Sequence, residues 1–104
     1  MYGSSGRSFI VGFGQNSPKR PHHRSSSCPV PPQACGWAVA DNQANPNTFI
    51  IHGALVGGPD RLDGYKDNRK EYKQTEVTID YNAGFTGATA GLLYYIELNY
   101  ISGL

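Results

Sequence analysis

Acidic and tyrosine side chains recur at close spacing between residues 65 and 82, shortly before a small apolar stretch. The side chains that could do chemistry there are Tyr65, Asp67, Tyr72, Glu76 and Asn82. Polar spacers separate them. Such a segment is either a solvated approach to a helix or one wall of a site in which acids and aromatic rings face a ligand.

Together, these residue types would support cleavage of a glycosidic bond. That reaction needs a carboxylic acid that protonates the leaving oxygen and a second carboxylate on the opposite side. Aromatic faces can in addition stack on sugar rings. An apolar helix start beside Glu76 would disfavour its charged form, which is how a catalytic acid keeps its proton near neutral pH. On these residues alone, an ordinary surface loop is an equally good interpretation.

A second cluster lies earlier in the chain, where residues 8 to 24 read SFIVGFGQNSPKRPHHR. Pro21 fixes its own φ angle just before the histidines and so limits where their rings can point. On an extended loop, His22 and Arg24 are alternate residues and can face the same side. Both could then donate hydrogen bonds to hydroxyls or to a carboxylate. The alternative, a solvated basic turn, is equally open at this point.

The element that must position these residues is a helix predicted over residues 79 to 98. Its apolar residues cover nearly every face, which indicates a buried helix rather than a surface one. Gly84, Gly87 and Gly91 give it one smooth side, and each costs roughly 1 kcal/mol of helix propensity relative to alanine. The chain offers no second good helix to pack against it. The sequence therefore suggests a piece of something larger.

Most of the remaining chain is predicted to be loop. Residues 8 to 13 and residues 49 to 56 are short apolar segments, and the first has the β-branched and aromatic content of an extended segment. Residues 14 to 47 are rich in Pro, Ser, Asn and Gly and show no sustained period. A loop of that length is uncommon in compact domains unless it has a function.

Composition excludes several classes of protein. The 104 residues fit a single domain. A net charge of +1 provides no field that would attract nucleic acid or an anionic membrane. No apolar run reaches the ~20 residues of a membrane helix, although Gly87 and Gly91 form a GxxxG pair. The N-terminal residues lack the apolar core of a signal peptide.

Metal and cofactor sites are also not indicated. His22, His23, Cys28 and Cys35 do not have the spacing of a zinc site, and GFGQNS lacks the third glycine and the following helix of a dinucleotide-binding loop. We therefore expect no metal ion and no cofactor. From the residues alone, the two cysteines are either one small-loop disulfide or two free thiols.

Taken together, the two clusters resemble the two signature regions of glycoside hydrolase family 9, the cellulases and endo-β-1,4-glucanases. The first resembles the histidine region of the family in Ser8-Phe9-Ile10-Val11, Gly12, Gly14, Asn16 and Pro21-His22-x-Arg24. The second resembles its acidic region in Tyr65-x-Asp67, Tyr72, Glu76-x-Thr78 and Asn82-Ala83. The intervening stretch GALVGGPDRLDGYKDNR looks like the Gly-Gly-Pro loop of the family. The resemblance runs in the family's order over most of residues 7 to 96.

The resemblance implies a role for five residues. Glu76 would be the general acid that protonates the departing glycosidic oxygen. Asp67 would be the second active-site acid, which holds groups in position rather than taking a proton. His22 would be the active-site histidine, with Arg24 as its partner in gripping sugar hydroxyls and Tyr72 as a further substrate-binding residue.

Two departures from the family pattern stand out. Thr75 occupies the position before the glutamate, where the family usually has asparagine. The catalytic base of the family is an aspartate in an Asp-Ala-Gly-Asp type motif near the start of the catalytic domain, and this chain has no such motif. Asp60 and Asp63 have the spacing of two aspartates but lack the small residues between them, so we do not assign the base to either.

The resemblance thus implies that residues 1 to 104 form the C-terminal part of the catalytic domain of an inverting endoglucanase. The expected fold is all-α, a partial (α/α)6 barrel with long ordered loops and short extended segments. Its substrate would be cellulose or another β-1,4-glucan, cleaved at internal bonds, with no nucleic-acid or membrane partner. The chain alone is expected to be inactive, because the remainder of the domain, with the base, is missing.

Two alternatives belong to other classes. One is a non-catalytic carbohydrate-binding or interaction fragment, and the other is a degenerate gene product without a stable fold. An Asp-Ala-Gly-Asp motif upstream in the reading frame would favour the enzyme, and Met1 would then be an internal methionine or the start of a gene model.

The segment SSSCPVPPQACGW resembles animal-type members of the family and favours a secreted parent protein. The even number of cysteines and the rigid PVPP between them predict a disulfide between Cys28 and Cys35. That disulfide would close a small proline-rich loop behind the histidines.

Overall fold

The computed structural model describes residues 5 to 102, and the regular secondary structure among them is helical. The helices are α1 (Arg24–Ser27), α2 (Trp37–Ala40), α3 (Tyr72–Thr75) and α4 (Ile79–Ser102). No strand forms within the described residues. Extended chain is limited to two isolated bridges, antiparallel Ile10–Leu55 and parallel His22–Glu76. The predicted all-α class with short extended segments is therefore confirmed at the level of secondary structure.

A small core forms where the two predicted apolar segments meet. Phe9, Val11 and Val56 are its buried residues. The amide of Val11 donates to the carbonyl of Ala54 at 2.9 Å, and the amide of Val56 donates to the carbonyl of Phe9 at 3.1 Å. The segments pair because apolar side chains of both are buried between them and their backbone groups form hydrogen bonds from one segment to the other.

The helix α4 begins near the predicted residue 79 and runs four residues beyond the predicted end, to Ser102. Its first turn is tied to the core through Asn82. The side-chain oxygen of Asn82 accepts from the amide of Leu55 at 2.8 Å, and its Nδ2 donates to the carbonyl of Leu55 at 3.1 Å. The side chain of Asn82 thus satisfies both backbone groups of Leu55. These two hydrogen bonds fix the start of α4 relative to the small core.

Beyond that first turn, α4 does not have the buried surroundings that its composition predicts. The large aromatic and aliphatic side chains from Leu92 to Tyr100 are exposed, from 46% at Leu98 to 87% at Tyr100. An added Cβ at Gly84, Gly87 or Gly91 would meet open space. The physical reason is that α1, α2 and α3 have four residues each and lie elsewhere. Within residues 5 to 102, no helix is both long and apolar enough to cross a membrane.

The Gly-Gly-Pro loop packs directly against α3. The amide of Gly58 donates to the carbonyl of Gln74 at 2.9 Å. A Cβ atom at Gly57 would overlap the carbonyl oxygen of Lys73, so only glycine permits this approach. The loop thereby supports the short helix that leads into Glu76.

Candidate functional site

The two sequence clusters meet in the structure at His22 and Glu76. Their backbones form an isolated parallel bridge, and the amide of His22 donates to the carbonyl of Thr75 at 2.9 Å. Residues far apart in sequence are thus fixed side by side by the backbone itself. The structure brings together the histidine and the glutamate that the sequence singled out.

The imidazole of His22 is oriented by a backbone carbonyl. Its Nδ1 lies 2.6 Å from the carbonyl oxygen of Arg69. Because a carbonyl oxygen can only accept, Nδ1 carries the hydrogen, and in neutral imidazole Nε2 is then the acceptor. The ring of Tyr72 lies 6.3 Å from that of His22, centroid to centroid, with the planes tilted by 59°. Nε2 has no hydrogen-bond partner among residues 5 to 102 and can serve a ligand.

Arg69 is itself held by a network that sequence analysis missed. The residue is 3% exposed, and its Nε and Nη2 donate to the side-chain oxygen of Asn47 at 2.6 Å and the carbonyl of Asn45 at 2.7 Å. Its Nη1 donates to the carbonyl of Asn42. Burial lowers the pKa of the guanidinium, with the charge of Arg20 adding to the effect, but an arginine stays charged at any ordinary pH. The cation therefore fixes the loop of residues 42 to 47 and, through its own backbone, His22.

Asn47 links this network to the start of α1. Its Nδ2 donates to the carbonyl of Pro21 at 3.0 Å and to the hydroxyl of Ser26 at 2.6 Å. Asn47 and Ser26 are both buried. No sequence motif marked either residue. Asn47 lies in a loop and Ser26 in the four-residue helix α1, and it is the hydrogen bond from the buried Arg69 that gives Asn47 its role.

Asp67 holds the loop that precedes the histidines. One carboxylate oxygen accepts from the amide of Lys19 at 2.9 Å, and the other accepts from the amide of Arg20 at 3.0 Å. Both oxygens are therefore engaged by backbone donors two and three residues before His22. This geometry suits a residue that positions the loop.

Glu76 differs from Asp67 in that its carboxylate is unpaired. It is half-buried at the C-terminal cap of α3, and its side chain makes no hydrogen bond or ion pair within the described part of the chain. The preceding Thr75 is fully buried, and its hydroxyl donates to the carbonyls of Asn68 and Glu71, both at 3.2 Å. Thr75 thus braces the turn and leaves the carboxylate of Glu76 available to donate or accept a proton.

Arg24 lies near His22 by a different route from the one predicted. The sequence indicated an extended loop, but His23 caps α1 by accepting from the amide of Ser26 at 3.2 Å, and Arg24 is the first residue of that helix. His22 and Arg24 nevertheless line one small pocket of about 60 Å³, together with Trp37. The two side chains thus border a common pocket, and the conformation at Arg24 is helical rather than extended.

The loop behind this pocket is closed by the predicted disulfide. The sulfur atoms of Cys28 and Cys35 are bonded at 2.06 Å, so the alternative of two free thiols is wrong. Nη2 of Arg24 donates to the carbonyl of Cys35 at 2.7 Å, and the guanidinium carbon of Arg24 lies 4.8 Å from the ring centroid of Trp37. The loop therefore positions Arg24, for which the family resemblance implied a role in binding sugar hydroxyls.

The two remaining acids of the Gly-Gly-Pro loop serve turns. Oδ1 of Asp60 accepts from the amides of Leu62 and Gly64, each at 2.9 Å. Asp63 adopts a positive φ of 65° and accepts from the amide of Ser5 at 3.1 Å. Both carboxylates thus accept from backbone amides, and the base stays unassigned.

Comparison with known proteins adds the following. A family model described as glycosyl hydrolase family 9 matches residues 1 to 89. Endoglucanase A of Bacillus pumilus is 42% identical over 87 residues, which cover 84% of this chain and 12% of that protein. An endoglucanase of Dictyostelium discoideum is 44% identical over 89 residues, covering 84% of this chain and 11% of that protein. The chain thus spans about an eighth or less of the length of these two relatives.

Two solved structures of endoglucanases are also similar to this chain in fold and in sequence. An endoglucanase from the termite Nasutitermes takasagoensis superposes with a TM-score of 0.79 at 56% identity, over 86% of this chain and 21% of that chain. The endoglucanase CelQ from Clostridium thermocellum, solved in complex with cellobiose and cellotriose, superposes with a TM-score of 0.67 at 45% identity, over 83% of this chain and 13% of that chain. The residues matched by the family model, 1 to 89, include both sequence clusters and the loop between them.

Proposed function

Since the chain belongs to glycosyl hydrolase family 9, we propose that residues 1 to 104 are the C-terminal part of an endo-β-1,4-glucanase catalytic domain. The substrate is cellulose or a related glucan, cleaved at internal bonds with inversion. The observation that carries this proposal is the pairing of the Glu76 backbone with that of His22, whose ring is oriented, while the carboxylate of Glu76 has no partner among residues 5 to 102. Relatives named endoglucanases, and one solved with cellobiose and cellotriose, support the class of substrate.

In the proposed reaction Glu76 acts as the general acid. Its carboxyl proton passes to the glycosidic oxygen as the bond from that oxygen to the anomeric carbon breaks. A water molecule attacks the anomeric carbon from the opposite face and gives its proton to a carboxylate base. An inverting pair of this kind stands about 6.5–9.5 Å apart, and the base belongs to a part of the domain beyond the described residues.

The other site residues bind and position. Nε2 of His22 and the guanidinium of Arg24 hold sugar hydroxyls, and the exposed ring of Tyr72 lies beside His22 as a contact for a sugar ring. Asp67 has a positioning role, because both of its oxygens are engaged by the backbone before His22. Its place is therefore behind the loop rather than at the reacting bond.

The proposed fold of the whole domain is an (α/α)6 barrel to which this chain contributes α4 and the loops of one rim. The exposed apolar side chains of α4 support this proposal, since patches of that extent mark a surface that packs against something else. The radius of gyration is 16.1 Å, whereas a compact chain of this length has about 13 Å. The disulfide supports a secreted parent protein, because disulfides persist in oxidising compartments.

The test compares the chain alone with a chimera in which it replaces the matching part of the termite endoglucanase. Carboxymethyl-cellulose is the substrate, and reducing ends are measured. We expect no turnover by the chain alone, since the base is missing and α4 is uncovered, and clear turnover by the chimera. Turnover by the chain alone, abolished by Glu76→Gln, would place a base within it, at Asp60 or Asp63.

An inactive but folded chimera would overturn the enzymatic proposal. The non-catalytic carbohydrate-binding alternative would then apply, and calorimetric titration of the same chimera with cellotriose tests it. The chimera with Glu76→Gln serves as the control that separates binding from turnover.

A further inference from the structure

Trp37 is a large aromatic side chain that the proposed reaction does not use. It keeps 64% of its surface exposed, although tryptophan is a highly buried residue on average. It begins α2, directly after the disulfide loop, and Ala40 of the same short helix is buried. The helix is therefore anchored to the structure while its indole faces outward.

The indole is held in place from one side. The guanidinium of Arg24 stacks at 4.8 Å from its ring centroid, and this guanidinium is itself fixed to the carbonyl of Cys35 at 2.7 Å. A cation over an aromatic face is an attractive contact, and it restricts the rotamers of both side chains. An aromatic ring that is ordered before binding loses less entropy when a ligand arrives.

The exposed indole is continuous with the proposed site. His22, Arg24 and Trp37 line the same pocket, whose volume is about 60 Å³. That volume holds a few water molecules, so hydroxyl groups can enter the pocket while a sugar ring must lie on its rim. Asp41 and Arg69 also line the pocket and add charged groups to its lining.

We propose that Trp37 forms a glucosyl-binding subsite next to His22 and Arg24, with the indole as a platform for the apolar C–H face of one unit of the glucan. A β-1,4-linked glucosyl ring carries its hydroxyls around the rim and presents C–H groups on its faces. Such a ring is uncharged, and it matches a flat apolar surface bordered by polar groups. Aromatic side chains with a few placed polar groups are the usual lining of a small-molecule site.

This inference rests on the proposed function for the identity of the ligand, and its test separates the two. In the full-length protein, we compare Trp37→Ala and Trp37→Phe with the wild type on cello-oligosaccharides of increasing length. For the longer oligosaccharides, KM should rise about tenfold in Trp37→Ala, which corresponds to about 1.4 kcal/mol. Substrates that are cleaved but are too short to occupy this subsite should keep their kcat/KM.

Two variants, Val39→Ala and the Trp37→Phe already named, guard against a merely structural effect. Val39→Ala removes an exposed apolar side chain from the same helix and should leave all substrates unaffected. Trp37→Phe keeps an aromatic face and should recover most of the affinity for long substrates. Loss of Arg24, by contrast, should affect short and long substrates alike.

Equal losses for short and long substrates in Trp37→Ala, or no loss for either, would overturn the subsite. Binding of cellotetraose to proteins carrying Glu76→Gln, measured by calorimetry, gives a readout that does not need turnover. If the wild type hydrolyses no glucan but binds cellotetraose through Trp37, the subsite stands and the proposed activity fails. If it neither cleaves nor binds, both fail.

Discussion

The carbonyl oxygen of Arg69 lies 2.6 Å from Nδ1 of His22 and thereby selects which ring nitrogen faces a ligand. The amide of His22 is at the same time bonded to the carbonyl of Thr75. Backbone groups thus fix both the position and the tautomer of the ring. Since a backbone carbonyl can only accept a hydrogen bond, Nδ1 carries the hydrogen. In the neutral form of His22, the lone pair of Nε2 can therefore accept from a hydroxyl.

Two substitutions of His22 test which ring nitrogen matters. In His22→Asn, the amide nitrogen can still reach the carbonyl of Arg69, but nothing replaces Nε2. In His22→Gln, the longer side chain places a polar atom near the former Nε2. We expect kcat/KM on a soluble glucan to fall at least about tenfold in His22→Asn, the loss of one good hydrogen bond, and to fall less in His22→Gln. Wild-type activity in His22→Asn would contradict the assignment.

Glu76→Gln tests the general acid. Removing the transferable proton should reduce kcat by at least ~100-fold, the lower end for general acid catalysis. Binding of a cello-oligosaccharide should change little, because glutamine keeps the size and polarity of the side chain. Glu71→Gln is the matched control, since Glu71 lies in the same segment and its side chain is exposed. Near-normal turnover in Glu76→Gln would remove this residue from the mechanism.

Asp67→Asn separates positioning from proton transfer. An asparagine can accept only one of the two amide hydrogens that Asp67 now accepts, and its NH2 group faces the other donor. The loop before His22 should shift, and kcat should fall by up to about 100-fold, as small misplacements near a reacting centre do. The pH profile of the residual activity should keep the wild-type midpoints. A displaced acidic limb would show instead that Asp67 exchanges a proton in the reaction.

The double variant Cys28→Ser/Cys35→Ser tests the role of the disulfide loop. Opening a loop this small should reduce the free energy of unfolding by at most about 3 kcal/mol. The carbonyl of Cys35 would no longer hold Arg24 in place, so KM should rise more than kcat falls. Mass spectrometry of the unreduced wild type should find no alkylatable thiol at either position. A double variant with unchanged KM would show that Arg24 is positioned without the disulfide.

Tyr65→Phe tests a buried hydroxyl. The Oη atom of Tyr65 has no hydrogen-bond partner among residues 5 to 102, and its ring packs edge-on against Phe9 at 5.4 Å between centroids. Burial raises the pKa of Tyr65, the charge of Asp67 raises it further, and Arg7 opposes both. Because the pKa of Tyr65 is higher in the folded than in the unfolded protein, ionisation of this side chain does not reduce the stability of the folded protein below the unfolded pKa of about 10. Above that pH, the free energy of unfolding decreases as pH rises.

Tyr65→Phe should therefore be neutral or stabilising by up to about 1 kcal/mol at pH 7, because an unpaired buried group is removed. Above pH 10, the variant should keep its free energy of unfolding while the wild type loses stability. Chemical denaturation at several pH values measures both effects. Destabilisation of the full-length protein by Tyr65→Phe at pH 7 would show that the hydroxyl bonds to a part of the domain outside the described residues.

The sequence predicted the parts of this structure that local pattern encodes. The composition of residues 79 to 98 predicted α4, and the resemblance of the two clusters to glycoside hydrolase family 9 implied that His22 and Glu76 belong to one site. It did not predict the contact of Arg69 with Asn47 or that of Asn82 with Leu55. These hydrogen bonds join segments that are distant in sequence, and no periodic pattern in the sequence predicts the partner of a single side-chain amide.

The short helices were missed for a related reason. The turn at Arg24 depends on the ring of His23 as a cap, and histidine is not among the residues that usually mark a helix start. Likewise, α4 has the composition of a buried helix, yet its neighbours are not encoded in the part of the chain that the structure describes. The burial of a helix depends on the elements that pack against it, so the composition of α4 could predict the helix but not its exposure.

The small apolar core has a thermodynamic consequence. Among residues 5 to 102, its buried cluster consists of Phe9, Val11 and Val56, with partly buried apolar side chains packed against it. Much of the remaining order in the loops comes from polar side chains bonded to backbone groups. Heat capacity increases on unfolding mainly because apolar surface meets water, at about +0.45 cal/mol/K per Å², whereas exposed polar surface lowers it. The loops around His22 should therefore unfold with a heat-capacity change below the usual ~12–15 cal/mol/K per residue. Their free energy of unfolding should then vary less steeply with temperature on both sides of its maximum than that of a domain built on a large apolar core.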